Sequence, residues 1–212
     1  MPALSQKLHP ALYPGLRLML DDTRQPIFSH QGDWDAGSAL HCVAMALAML
    51  GKLSDPVDVR GYASGPVAHF WDRAWPHYLH GLTPSELAAF VWELDCDVQP
   101  VQAEGTAHEL ARFCFRELAA EWPAIVWVVN RRIGERHAAL VIGIEERDAI
   151  PKALLLLDPA GAAPVLAACN ARLEFGESHA SYITASGSVR AALDGAVSIR
   201  PLEAGATGAG CA

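Results

Sequence analysis

From Ser38 to Leu50 the residues are almost all apolar and rich in Ala, Leu and Met, and Gly51 follows as a stop. Ala, Leu and Met are strong helix formers, and a glycine just past the last turn is a common C-terminal signal. A helix that is apolar on nearly every side has no face to offer water, so it is expected at the centre of the fold, buried by the rest of the chain. The composition allows this. With 212 residues, 51% hydrophobic and 19% charged, the chain can bury the core of one globular domain. That domain is expected over residues 1–203, with a helical half at about 31–121 and a sheet half at about 122–203, followed by a small, glycine-rich, flexible tail at 204–212.

Residues 1–30 are punctuated by proline, with a short strand expected at Leu16–Leu20, and lead into the turn-rich Gln31-Gly32-Asp33-Trp34-Asp35-Ala36-Gly37. Two shorter amphipathic helices carry clear start signals. Thr83-Pro84-Ser85-Glu86 supplies an N-cap, a first-turn proline and a capping-box glutamate, and Thr106-Ala107-His108-Glu109 repeats the box. These helices are expected to run to about Leu94 and Ala120. Beyond Pro123 the period changes: Ile125–Val129, His137–Ile144 and Leu154–Leu157 are short β-branched or leucine-rich runs between polar turns. Together they predict an antiparallel sheet, with Ser181–Thr184 and Ala196–Arg200 as late additions. Helices first and strands second is an α+β order, not an alternating βαβ one.

The formal net charge of −8 comes without any Lys/Arg block; the densest basic point is Arg131-Arg132. Nucleic acid and anionic membranes are therefore not expected partners. The longest apolar runs, Ala44–Leu50 and Ala138–Ile144, fall far short of the roughly 18–20 residues of a membrane span, so no membrane insertion is expected. The proline-broken start of the chain does not read as a signal peptide. Five cysteines, Cys42, Cys96, Cys114, Cys169 and Cys211, are widely spaced with no CxxC pair, which suits reduced thiols in a cytoplasm. The histidines His41, His69, His77, His80 and His108 form no His-x3-His pair, and neither a metal nor a cofactor is expected.

Thiol-type acyl transfer needs a nucleophile at a helix N-terminus, a histidine base, a carboxylate to orient that base, and an oxyanion donor. The chain offers candidates in a suitable order: Gln31 before the apolar helix, Ser38 at its start, His137 at the head of an apolar strand, and Asp158 after Leu154-Leu155-Leu156-Leu157. A histidine opening one strand and an aspartate closing its antiparallel neighbour lie at the same end of a sheet, within reach of each other.

The segments Gln31, Cys42-Val43-Ala44-Met45-Ala46-Leu47-Ala48-Met49-Leu50-Gly51, His137-Ala138-Ala139-Leu140-Val141-Ile142-Gly143 and Asp158-Pro159 resemble, in that order, the papain-like cysteine peptidases of the bacteriocin-processing, double-glycine-leader type. The resemblance covers roughly residues 31–160. It implies a papain-like α+β fold, with a central buried helix packed on an antiparallel sheet. It also implies hydrolysis of a peptide or amide bond through an acyl-enzyme, with Gln31 at the oxyanion hole and His137 and Asp158 as triad members. The family's cysteine is missing. An ungapped count back from Gly51 puts Ser38 in its place; matching Asp35-Ala36-Gly37 to the family's Asp-Cys-Gly puts Ala36 there instead. The helix register favours Ser38, and Cys42 lies one turn deeper, where a buried thiol is inert.

Several functions stay open on this reading: an inactive or cysteine-substituted peptidase, a catalytically dead module that binds a peptide or protein, and a serine hydrolase or acyltransferase. Trp34, Trp71 and Trp75 are candidate substrate-binding aromatics. Each residue also has a plain structural account: Ser38 as an N-cap, His137 as a strand-edge residue, Asp158-Pro159 as a turn, and the tryptophans as packing.

Overall fold

The computed structural model describes residues 4–32, 36–57, 65–148, 150–176 and 179–202. The expectations for Trp34 and for the tail at 204–212 lie outside the described residues. In chain order the elements are β1 (Leu4–Leu8), β2 (Leu12–Tyr13), β3 (Met19–Leu20), α1 (Ser38–Met49), α2 (Pro66–Ala74), α3 (Pro84–Glu93), β4 (Val98–Ala103), α4 (Ala107–Ala119), β5 (Ala124–Asn130), β6 (Arg136–Arg147), β7 (Ile150–Leu157), β8 (Ala171–Phe175), β9 (Ala180–Thr184) and β10 (Gly187–Pro201).

The helix boundaries follow local chemistry. Thr83 and Thr106 each accept a hydrogen bond from the backbone N–H three residues on, and Glu86 and Glu109 reach back to the cap N–H, closing two capping boxes. Gly51, with φ of 68°, ends α1: the Lys52 N–H donates to the Leu47 carbonyl at 2.8 Å and the Gly51 N–H to the Ala48 carbonyl at 3.0 Å. That paired arrangement needs a left-handed residue, which glycine adopts without strain.

The sheet closes on itself. Strand β6 pairs with β5 through Arg136–Val141 and with β7 through Leu140–Arg147. The order β6-β5-β10-β9-β8-β7 therefore returns to β6 as a closed, six-stranded, antiparallel barrel. Outside the ring, β1 extends β6 and β4 extends β10. This corrects the expectation of a papain-like α+β fold with a central helix packed on an antiparallel sheet, and with it the resemblance to the bacteriocin-processing papain-like peptidases: the sheet is a closed barrel, and the chain is strand-rich with four short helices. Local periodicity marks strands but carries no term for closure, which depends on β6 being long enough to serve two neighbours in offset stretches. Closure also removes the free edges that an open sheet would present.

Successive residues on the barrel strands feed two different cores, as the two-residue repeat of a strand requires. Val126, Val128, Ala139, Val141, Leu154, Leu156, Leu173 and Leu193 form one cluster, joined by Leu110, Phe113 and Leu118 of α4. Their sequence neighbours Ile125, Trp127, Ala138, Leu140, Ile142, Leu155 and Leu157 form the other, together with α1, all twelve of whose residues are buried. Both termini of the site described next, the start of β6 and the end of β7, sit at one end of this barrel.

Candidate functional site

A cleft of about 770 Å³ opens where the starts of α1 and α3 meet the β5–β6 turn and the β9–β10 hairpin. Gln31, Ala36, Ser38, His137, Tyr182 and Ser188 are among its lining residues. Of the residues singled out in the sequence, it gathers Gln31, Ala36 and Ser38 from one stretch and His137 from another, and Asp158 stands behind them.

His137 opens β6 and Asp158 follows β7, and the register of these neighbouring strands sets them side by side: His137 Nε2 lies 3.4 Å from Asp158 Oδ2. Tyr182, from β9, completes the cluster. Its phenol donates to Asp158 Oδ2 at 2.7 Å, and its oxygen lies 3.1 Å from His137 Nε2. With the phenolic proton committed to Asp158, the oxygen accepts from Nε2–H, which fixes that tautomer and leaves the Nδ1 lone pair as the ring's basic position. Burial pushes the Tyr182 phenol up, reinforced by the Asp158 charge, so the phenol stays a neutral donor. Burial would likewise raise Asp158, but the hydrogen bond and charge of His137 and the hydrogen bonds from Tyr182 and Ala160 outweigh it, holding the carboxyl below its usual range.

The turn carrying Asp158 is clamped. The Asp158 N–H donates to Asn170 Oδ1 at 2.7 Å, Asn170 Nδ2 donates to the Asp158 carbonyl at 2.8 Å, and the Ala160 N–H donates to Asp158 Oδ1 at 2.9 Å. Gln31 is tied to the same turn, its N–H donating to the Pro159 carbonyl at 2.9 Å.

Ser38 is the first residue of α1, preceded by Gly37 with no side-chain cap, and its Oγ accepts from the Ala138 N–H at 3.1 Å. That bond ties the start of α1 to the residue after His137. Ser38 and His137 share the cleft, and no hydrogen bond joins their side chains among the described residues. Ala36 sits in the preceding loop, its N–H donating to the Tyr78 carbonyl at 3.0 Å, and it lines the same cleft. Cys42 is wholly buried, and burial together with the Asp158 charge pushes its thiol well up, so it remains protonated and unreactive.

Trp71 and Trp75 are placed elsewhere. Trp71 is buried in the α1 cluster, edge-on to Phe70 at 4.8 Å and tilted against His41 at 5.2 Å. Trp75 is exposed and stacks on Tyr78 at 5.6 Å. Neither lines the cleft. The residue that sequence reasoning missed is Tyr182. A tyrosine at a buried position of a short strand must find a partner for its hydroxyl, but the sequence does not say which polar group that is.

The hairpin wall has a property of its own. Strands β9 and β10 are joined by a two-residue turn with Thr184 opposite Gly187, whereas β10 meets β5 only from Ala191 onward. Antiparallel alternation directs the Ser188 N–H and C=O away from β9, onto a strand edge that β5 does not reach and that lines the cleft. No protein-family model matches the chain, and no curated protein matches it either.

Proposed function

We propose that the protein is a peptide-binding module whose cleft receives an extended polypeptide segment along the free edge of β10. The observation that carries this reading is the overhang of β10 beyond β5, which leaves backbone donors and acceptors at Ser188 facing a cleft of peptide dimensions. Strand addition of this kind draws affinity from main-chain hydrogen bonds and selectivity from side-chain pockets. At the inner end of the cleft, the Nδ1 of His137, its ring held by Tyr182 and Asp158, accepts a hydrogen bond from the segment. The four described cysteines, Cys42, Cys96, Cys114 and Cys169, are free thiols, which supports a cytoplasmic setting. No helix among the described residues is long and apolar enough to cross a membrane.

The test is titration of labelled extended peptides by fluorescence anisotropy. Ser188→Pro, which removes the N–H from an edge that β9 does not use, should weaken binding by roughly tenfold, the worth of one or two hydrogen bonds. Ser188→Ala, which keeps the backbone, should bind like the parent. If the parent protein binds no peptide from a broad library, the reading fails.

A serine hydrolase reading rests on Ser38 and His137 lining one cleft at the start of a buried helix. It requires fluorophosphonate labelling at Ser38 that His137→Ala abolishes, whereas the binding reading expects no labelling.

A further inference from the structure

Beside the cleft, sharing Ala191 with it, lies a second groove of about 630 Å³ lined by Arg131, Arg132, His179 and Arg190. Its arginines are set on stiff backbone. The Arg131 N–H donates to the Arg190 carbonyl at 3.0 Å, and the Arg132 N–H donates to Asn130 Oδ1 at 2.9 Å, within a turn that the Asn130 and Gly134 N–H groups close at 2.8 Å each.

Three other arginines of the barrel strands carry acidic partners: Arg136 meets Asp194 at 3.2 Å, Arg200 grips Glu117 with two bonds of 2.8 Å, and Arg172 pairs with Glu145 and Glu174. Among the described residues, no carboxylate pairs with Arg131, Arg132 or Arg190. In a chain with a formal net charge of −8, three such cations gathered in one concave site stand apart from the rest of the surface.

We infer that this groove binds a short acidic polypeptide segment, through glutamate or aspartate carboxylates held by Arg131, Arg132 and Arg190. Guanidinium groups on a fixed turn match carboxylates in two-pronged geometry, and little side-chain order remains to be lost beyond the arginine stems. A long nucleic acid fits less well, because the overall negative charge repels a polyanion that extends past the groove. The inference stands independently of the peptide in the neighbouring cleft, since its contacts are ionic and lie on other side chains.

The experiment uses the whole chain and a fluorescein-labelled glutamate-rich peptide at low salt, with its glutamine counterpart as the uncharged control. The glutamate peptide should bind and the glutamine peptide should not. Arg131→Glu and Arg190→Glu should each weaken binding by about tenfold or more, as loss of a charge pair plus repulsion does. Arg73→Glu, on α2 and outside the groove, should have no effect, and Ser188→Pro should leave this binding intact. The inference is overturned if the glutamate peptide does not bind, or if Arg73→Glu weakens it as much as the groove variants. It also fails if Ser188→Pro abolishes the binding, or if a single-stranded oligonucleotide binds more tightly with the same arginine dependence.

Discussion

At Asp158, burial and hydrogen bonding pull the carboxyl in opposite directions, and hydrogen bonding wins: its pKa in the fold lies below the ordinary 3.8. A carboxyl whose folded pKa is depressed adds stability that is complete above its ordinary value and disappears as pH falls through the folded one. Asp158→Asn should therefore be less stable than the parent near neutrality, by about 1–3 kcal/mol, the cost of a spoiled buried network. That gap should close as pH falls below 3.8. Urea unfolding at a series of acidic pH values checks this, and a gap that stays constant to the lowest pH would count against it. Tyr182→Phe removes one hydrogen bond that lowers the Asp158 pKa, so carboxyl-detected NMR titration of that variant should place Asp158 closer to its ordinary value. His137 and Asp158 were legible because each ends an apolar run at a strand terminus. Tyr182 was not, because its meaning depends on β9 lying across the barrel mouth from Asp158, a contact between strands that no local pattern encodes.

At the scale of elements, α1, α3 and α4 announced themselves through chemistry confined to a few neighbouring residues, whereas α2, which has no side-chain cap, did not. The capping threonines, Pro84 and Gly51 each act within one turn, and the structure uses each where the sequence places it. Strands with long apolar runs were equally plain. Strands β1, β4 and β8 were not, because Leu4–Leu8 sets three polar residues between two leucines, Ala171–Phe175 alternates with charged residues and Val98–Ala103 contains a proline, so pairing partners define them more than composition does. Gly143 marks one such partnership. A Cβ there would come 2.7 Å from the Lys7 carbonyl and 2.9 Å from Leu8 Cδ2, so β1 lies too close to β6 for a side chain. Gly143→Ala should cost about 1–3 kcal/mol, the range for forced overpacking. The loss should concentrate in β1: hydrogen exchange at Leu4–Leu8 should speed up more than exchange at the β5–β10 pairing.

For the whole molecule, the consequence of closure is that one set of strands serves both cores. Leu140 faces the α1 layer and its neighbour Val141 faces the other cluster, and both are fully buried. Neither core can open without moving the strands that hold the other, so the domain should unfold as one cooperative unit although its apolar residues fall into two clusters. Leu140→Ala should cost about 2–5 kcal/mol, and Val141→Ala less, since it deletes fewer side-chain carbons. The discriminating measurement is whether two probes stay together. Tryptophan fluorescence reports in part on Trp127, buried in the α1 cluster with its indole N–H donating to the Leu82 carbonyl at 3.0 Å, while far-ultraviolet circular dichroism reports the helices and strands throughout. In denaturant the two curves should coincide for the parent and for both variants, with midpoints shifted and slopes unchanged. If Leu140→Ala instead splits them, with fluorescence falling before the dichroism, then the helix layer and the barrel are separable units, and shared strands do not couple the two cores.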